Sequence, residues 1–475
     1  MSKIPEAKAK FSLLGEEQCA FVHRASLEIL RRTGVRVHHP EALNLLRQTD
    51  AVIKDETLVF LPANLVEWAL RQAPSHLVLC RRGGNEAAIR LEEGEVHFGT
   101  GSDCANYLDP KTDKHRPFTT SEIKDCIRLV DALPRIDFCM SMGAPSDTPE
   151  HDRFKTQFAL MLEYTAKPIV FIADNRADCE AIYAMAAAAG GEDNLRLNPN
   201  LLSYSQMTTP LVQPRDSLEK LLFTAEKAVP VVHQPSPMMG GAAPVTLSGA
   251  LALGNAEVLS SIVIHQLKRA GAPFMYGNGL HHMDMRTSIS VYNAPEWMLA
   301  RAAAADMGRY YRLPHFGYAG HTDSNNMDEQ AASDAATTIM MGFLTGEHLA
   351  HDVGYMESGL TTSPELIVFA DECIDMMRTF EKGISFDEES MALDQIHLIG
   401  PGGNYMTAEH TYKNFRRLWQ PTLFNRDRKE RWLSKGGPTL GKRLKDKTIA
   451  VMEAHQPAPL DEAVKSEIEY ILKKK

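Results

Sequence analysis

The stretch HFGYAGHTDSNNMDEQAASDAATTIMMGFLTGEHLAHDVGYMESGL (315–360) decides the fold, because it holds a strand, a polar exit loop, a helix and a second polar-ended strand in one unit. Residues 315–319 and 348–353 read as short strands running into Gly, His, Asp, Asn and Tyr, and 329–344 between them has the Ala/Met/Ile spacing of a covering helix. Ligands in α/β folds sit where strands end. Polar loops at both exits therefore mark this unit as a piece of a catalytic scaffold.

The same alternation extends upstream. Strand-like runs at 136–142, 168–173, 201–207, 231–235 and 273–278 are followed by helical patterns at 151–165, 178–189, 216–228, a long Ala/Leu-rich run ending near 269, and 295–310. The strand at 348–353 is followed by a helix at 364–380. With 96–100, inside a β-rich stretch at 77–108, the strands number eight. Eight βα units in succession predict an α/β fold of the TIM type, a (β/α)8 barrel over residues 95–380. A doubly wound open sheet is usually shorter. Residues 1–94 then form an N-terminal extension of helices (16–33, 41–48, 62–72) and β-meander. Residues 381–475 form a C-terminal helical cap and tail, with GPGGNY (400–405) as a tight turn and no strand expected beyond about 385. A helix at 119–133 is expected with Thr120 as its cap.

Composition narrows the function classes. The 44% hydrophobic content supplies a large core, and no apolar run is expected to reach the roughly 18 residues of a membrane span. The opening MSKIPEAKAKF lacks the apolar centre of a signal peptide, so a cytoplasmic protein without membrane contact is expected. Seven cysteines form no Cys-x-x-Cys pair, which indicates neither a disulfide framework nor a structural zinc site. A net charge of −10 argues against nucleic acid as a partner, and the basic run at 426–431 reads as a solvated face.

Familiar catalytic signatures are absent. Gly99-x-Gly101 and Gly277-x-Gly279 lack the third glycine of a dinucleotide fingerprint, since Cys104 and His282 stand in its place. No Walker loop, Gly-x-Ser-x-Gly elbow or His-Glu-x-x-His occurs. No tightly bound cofactor and no metal are expected. His281-His282 and His348-x-x-His351 are metal-ligand candidates, and strand alternation is expected to separate the latter pair. It turns Leu349, His351 and Val353 toward the helices, and His348, Ala350 and Asp352 toward the barrel axis.

Aromatic residues on or near the strands (Phe98, Tyr107, Tyr204, Tyr276, Phe316, Tyr318, Tyr355) alternate with Gln206, Asn278, His321, Asn325, His348, Asp352 and Glu357. This mixture suits an organic cation. A methylated ammonium has no N–H to donate, so aromatic faces and nearby carboxylates hold it. Two or three of the seven aromatics are expected to touch ligand, the others packing the barrel.

Four blocks in order, FGTGSDCANYLD (98–109), GHTDSNNMDEQAA (320–332), HDVGYMESG (351–359) and GPGGNYMTAEHTYKNFRRLWQPTLFNR (400–426), resemble the trimethylamine methyltransferase superfamily over nearly the whole chain. The resemblance implies a TIM barrel, a homo-oligomer, and transfer of a methyl group from a methylated amine to the cobalt of a corrinoid on a separate small protein. Members acting on trimethylamine carry pyrrolysine, expected around 321–326. This chain has only standard residues there, and Asn404 replaces an expected histidine. The departure points to the branch that the resemblance associates with quaternary amines such as glycine betaine. On this reading His348 is the catalytic candidate, anchoring the substrate carboxylate. Phe98, Tyr107, Gln206, Asn278, His321, Asn325, Asp352, Tyr355 and Glu357 are the substrate-binding candidates. A metal-dependent barrel hydrolase and a betaine-binding protein without turnover are the alternatives.

Overall fold

Short apolar runs bounded by Gly, Pro and Asn are too brief to bury a helix, and they pair instead as strands. In the computed structural model, which describes residues 4–92 and 94–474, seven of them form one parallel sheet. They are β1 (His97–Thr100), β2 (Ile169–Phe171), β3 (Leu201–Gln206), β4 (Val231–Gln234), β5 (Phe274–Gly277), β6 (His315–Tyr318) and β7 (Leu349–Val353). The sheet order is β2-β3-β4-β5-β6-β7-β1. Sequential strands neighbour one another, and the sheet curls until its first and last strands approach. Between them lies the segment 138–139, bridged in parallel from Phe138 to Gly99 of β1 and from Cys139 to Ile169 of β2. The rest of the 136–142 stretch forms no regular strand.

Each strand, and the bridged segment 138–139, is followed by a covering helix: α1 (Thr120–Ala132), α2 (Arg153–Tyr164), α3 (Arg176–Gly190), α4 (Arg215–Lys227), α5 (Leu247–Lys268), α6 (Pro295–Tyr310), α7 (Glu329–Thr345) and α8 (Pro364–Lys382). Local chemistry sets their ends. Thr119, not Thr120, caps α1 in a capping box with Glu122. Asp328 accepts from Ala331 N at the start of α7, and left-handed Gly346 ends it. Ser363 caps α8 ahead of Pro364. Helix α5 has the length and composition of a membrane span, contrary to expectation. Yet 83% of its apolar window is buried against the sheet and the N-terminal helix Glu16–Arg32, which makes it a core helix.

Side-chain alternation divides the apolar material in two. Val170, Leu202, Val232, Met275, Phe316 and Leu349, one from each of six strands, meet inside the curl together with Phe138 and Met140. The hairpin Leu77–Cys80/Ala87–Leu91 closes this cluster with Leu79, Ile89 and Leu91. Neighbours of opposite parity, such as Phe98, Val231, Phe274, Tyr276 and Ala350, pack toward the helices. The expected facing of β7 is thereby inverted: Leu349 and His351 point inward, and Ala350 points to the helices. The expectation counted Leu349 as a helix-facing apolar residue, but the interior of the sheet is itself apolar at that level.

The flanking regions cover this core. N-terminal helices Glu16–Arg32, Pro40–Arg47 and Ala63–Gln72 lie on α5, and helices Leu440–Ala454 and Glu462–Lys473 return to pack on α1, α8, α2 and α3. A strand not expected in the C-terminal region, Ile384–Phe386, pairs with Ile4–Ala7 and ties the two flanks together.

Candidate active site

Residues at the carboxyl ends of the strands enclose a cavity of about 220 Å³. That is below the roughly 300–1,000 Å³ typical of drug-sized ligand sites, and suits a small metabolite. Strands β3, β6 and β7 supply Tyr204, Gln206, Tyr318, His351 and Asp352. Asp103 and Tyr355 come from the loops after β1 and β7. A hairpin after β5 (His281–Asp284 with Ile289–Val291) brings His281 and the adjoining Tyr292. Helix α6 adds Trp297 and Arg301, four residues apart and so on one face. Five aromatic rings (Tyr204, Tyr292, Trp297, Tyr318, Tyr355) thus surround a space with one cation and two carboxyl groups on its wall.

Two neighbouring residues reach this space from one strand because β7 breaks its alternation. Asp352 adopts φ 75° and the register with β1 shifts between Ala350 and Val353, so His351 and Asp352 both turn inward. A non-glycine residue held in the left-handed region is the kind of strain that clusters at functional sites. Gly101 makes room for the result. A Cβ there would lie 2.3 Å from Tyr355 Cζ and 2.5 Å from Asp352 Oδ1.

The electrostatics follow from burial. The His351 ring stacks among Tyr204, Phe316 and Tyr318, with centroids 4.3–5.4 Å away, and its pKa is pushed down to about 3 by burial. Its Nδ1 meets the Gly317 carbonyl at 2.8 Å and must donate, which leaves Nε2 facing Asp352 Oδ1 at 3.3 Å. Asp352 is pushed up to about 8 by burial, with Arg301 opposing the shift and Asp103 reinforcing it. The buried Arg301 guanidinium stacks over Tyr318 at 4.8 Å and Trp297 at 5.3 Å and donates from Nη2 to the Leu280 carbonyl, while its Nε has no partner. Burial lowers its pKa, yet an arginine stays charged in proteins. Amides orient the phenols: Gln234 Nε2 donates to the Tyr204 hydroxyl at 2.8 Å and also to Tyr318, and Gln206 Nε2 donates to Tyr204 at 2.7 Å. The arrangement can hold a small ligand that carries a cation at one end and an anion at the other.

Of the residues singled out from sequence, Gln206, Asp352 and Tyr355 line the cavity, as do Tyr204 and Tyr318 of the wider aromatic set. The others lie elsewhere. Phe98 packs on Phe343 of α7, and Tyr107 lies against Phe118 and under the Arg116 guanidinium. Asn278 is buried beside Gly254 of α5. His321 sits behind the wall, 4.7 Å from Trp297, with its Nε2 at the Tyr292 carbonyl. Asn325 is exposed and accepts from His115 through its backbone, and Glu357 pairs with Thr361 and His115. His348 lies at the opposite, amino-terminal end of β7, its Nδ1 2.9 Å from His315 Nδ1. It borders a different cavity, with Lys8 and Arg309. The axis-facing position expected for it belongs to His351.

Sequence reading missed Arg301, Trp297, Tyr292, Asp103 and the inward role of His351, and weighed His281 only as a metal ligand. An amphipathic count of α6 could have found the first two: Trp297 and Arg301 stand together on an otherwise Ala-rich face. Tyr292 lies between the strand expected at 273–278 and the helix expected at 295–310, and nothing local marks it. Among the described residues no three His, Cys, Asp or Glu side chains converge as a metal site.

The family described as Trimethylamine methyltransferase (MTTB) matches residues 1–475. Trimethylamine methyltransferase MttB of Desulfitobacterium hafniense (strain DSM 10664 / DCB-2) is 30% identical over 97% of this chain and 94% of its own length. Glycine betaine methyltransferase of Desulfitobacterium hafniense (strain Y51) is 29% identical over 89% of this chain and 88% of its own. In fold, the chain is similar to the crystal structure of the Methanosarcina barkeri monomethylamine methyltransferase (MtmB). The TM-score is 0.55 at 12% identity, covering 94% of this chain and 88% of that one.

Proposed function

Given that this chain belongs to the trimethylamine methyltransferase (MTTB) family and is an amine methyltransferase, we propose that its substrate is a carboxylate-bearing quaternary amine. Glycine betaine, converted to dimethylglycine, is the first candidate, and the methyl acceptor is cobalt(I) of a corrinoid carried by a cognate protein. One observation carries the substrate class: Arg301, a buried cation with an unpartnered Nε, shares a small cavity with five aromatic rings and Asp352. A guanidinium fits a carboxylate in the geometry of a fork, and aromatic faces hold a methylated ammonium at roughly 0.5–2 kcal/mol per contact. The small volume favours the shortest betaine. The standard residues at 321–326, where the family resemblance implies pyrrolysine in members acting on trimethylamine, point the same way.

In the reaction the cobalt(I) electron pair attacks one N-methyl carbon. The carbon–nitrogen bond breaks with its pair left on nitrogen, methyl-cobalt(III) forms, and a neutral tertiary amine departs, so no acid need protonate the leaving group. The chain's part is to anchor the carboxylate on Arg301, aim a methyl toward the cavity mouth and exclude water. Positive charge on nitrogen disappears in the transition state, so the grip on the cation must be modest. Neutral phenols satisfy that better than several carboxylates would.

The scaffold we infer is a closed eight-stranded (β/α)8 barrel, supported by the parallel bridges that link 138–139 to both β1 and β2. A homo-oligomer is supported by exposed apolar residues gathered between 391 and 418, with Leu398 79%, Met406 83% and Leu418 68% exposed. Seven buried, unpaired cysteines accord with a cytoplasmic protein. The reading includes no tightly bound cofactor. A panel of glycine betaine, proline betaine, carnitine, butyrobetaine and trimethylamine, offered with reduced corrinoid protein and read by methyl-cobalt absorbance, tests the function. Betaines should react and trimethylamine stay inert. Equal activity on trimethylamine sinks the assignment.

A further inference from the structure

We propose that Asp352 rests as a protonated carboxyl donating to His351, and that it releases this proton when a quaternary ammonium enters the cavity. The inference rests on the cation-binding reading of the site and adds a proton to it. Geometry comes first. The Gly317 carbonyl can only accept, so His351 Nδ1 carries the hydrogen, and the unprotonated Nε2 of a neutral ring lies 3.3 Å from Asp352 Oδ1. An unprotonated ring nitrogen and an ionised carboxylate oxygen this close in a buried site repel, and a proton on one of them removes the repulsion.

That proton belongs to the carboxyl group. The alternative, an imidazolium facing a carboxylate, puts a second buried cation near Arg301 and among three aromatic rings. Burial drives both partners toward their neutral forms. The groups facing Asp352 from other elements agree with this. Arg301 of α6 is the one cation, and Asp103 after β1 is a like charge. Tyr292, Tyr318 and Tyr355, with Cys104, are held uncharged because burial raises all four well above neutrality.

Entry of a fixed cation reverses the balance. Arg301 is held by Leu280 and two rings, and in the proposed complex it also faces the substrate carboxylate, so it contributes less to ionising Asp352 than an ammonium in the cavity does. The ammonium cannot donate a hydrogen bond, and a bare carboxylate is its best partner. The Asp352 proton goes to solvent on binding. Once the methyl group has left, nitrogen is neutral, and the carboxylate recovers a proton from solvent. No oxidant or further reactant is required.

Calorimetric titration of glycine betaine into the full-length protein at neutral pH, in two buffers of different ionisation enthalpy, reads the release. About one proton per cation bound is expected. The carbon isostere of glycine betaine, with a quaternary carbon in place of nitrogen, should bind the same protein with none released. Asp352→Asn should bind glycine betaine more weakly and also release none. Betaine binding with no change in bound protons overturns the inference. A ligand-free check guards against misfolding of the variant and against a wrong substrate. The infrared difference spectrum of the ligand-free wild type minus Asp352→Asn should hold the carbonyl stretch of one protonated carboxyl, the bands of other carboxyls raised by burial, such as Glu347, cancelling. Absence of that band from the difference spectrum overturns the inference whatever binds. Presence of the band with no binding of any betaine supports the protonated pair and counts against the proposed substrate class instead.

Discussion

At the scale of single residues, Arg301 is the most informative side chain, and it makes a sharp expectation. Arg301→Gln removes a charge-assisted contact of about 1.5–3 kcal/mol, so kcat/KM for glycine betaine should fall roughly ten- to hundredfold. Tetramethylammonium, which has no carboxylate, should bind the variant as it binds the wild type. Equal losses for both ligands would mean that Arg301 only supports packing. His348→Ala should leave turnover close to the wild type while lowering the melting temperature, because His348 packs on His315 at the far end of β7. A lost methyl transfer in a folded variant would restore His348 as the anchor. Buried carboxyls also shape the pH dependence of stability. Asp352 and Glu347 are raised by burial to about 8 and about 7, above the ordinary carboxylate value near 4. Their contribution is complete below that ordinary value, where both states are protonated. It is lost as pH rises toward the folded values, at roughly 1.4 kcal/mol per pH unit for each group. Thermal melts from acid to mildly alkaline pH should show that Asp352→Asn flattens this decline, and an unchanged slope would remove Asp352 from the account.

At the scale of elements, the site depends on where regular structure is interrupted. A uniform β7 would send His351 inward and Asp352 outward; the left-handed turn at Asp352 adds a carboxyl beside the ring. Gly101, at the end of β1, leaves room for both Asp352 and Tyr355. Gly101→Ala should therefore abolish betaine binding while circular dichroism stays that of the wild type, since the displaced atoms belong to the cavity wall and not to a helix. Retained affinity would mean that the wall yields cheaply. The hairpin Leu77–Cys80/Ala87–Leu91 supports the other end of the interior. Leu79→Ala, at a fully buried position, should cost about 2–5 kcal/mol in denaturant unfolding without changing substrate preference. The alternation of strands and helices was legible from period and punctuation alone. Helix α6 was legible as a helix, but not as a wall of the site, because the neighbour that its Trp297 and Arg301 face is set by strands distant in sequence.

At the scale of the whole molecule, exposed apolar surface is concentrated in the segment 391–418, where no helix buries a residue. Replacing Leu398 and Met406 together by Glu should shift the protein to a smaller species in sedimentation, with the melting of the core unchanged. A monomeric wild type would end the oligomer reading. The βα order, the polar strand exits and the family blocks were legible in the sequence, because these follow from local periodicity, capping and residue type. Tertiary structure alone decided which side chains meet. The closeness of β1 to β7 and the meeting of Arg301 and Asp352 on one cavity wall join residues tens to hundreds of positions apart, and the choice of His351 over His348 turns on how β7 faces its sheet. The physical reason is that facing depends on curvature and burial. A one-residue change in parity, or one left-handed residue, moves a side chain from the helix layer into the cavity, and no local composition records that change.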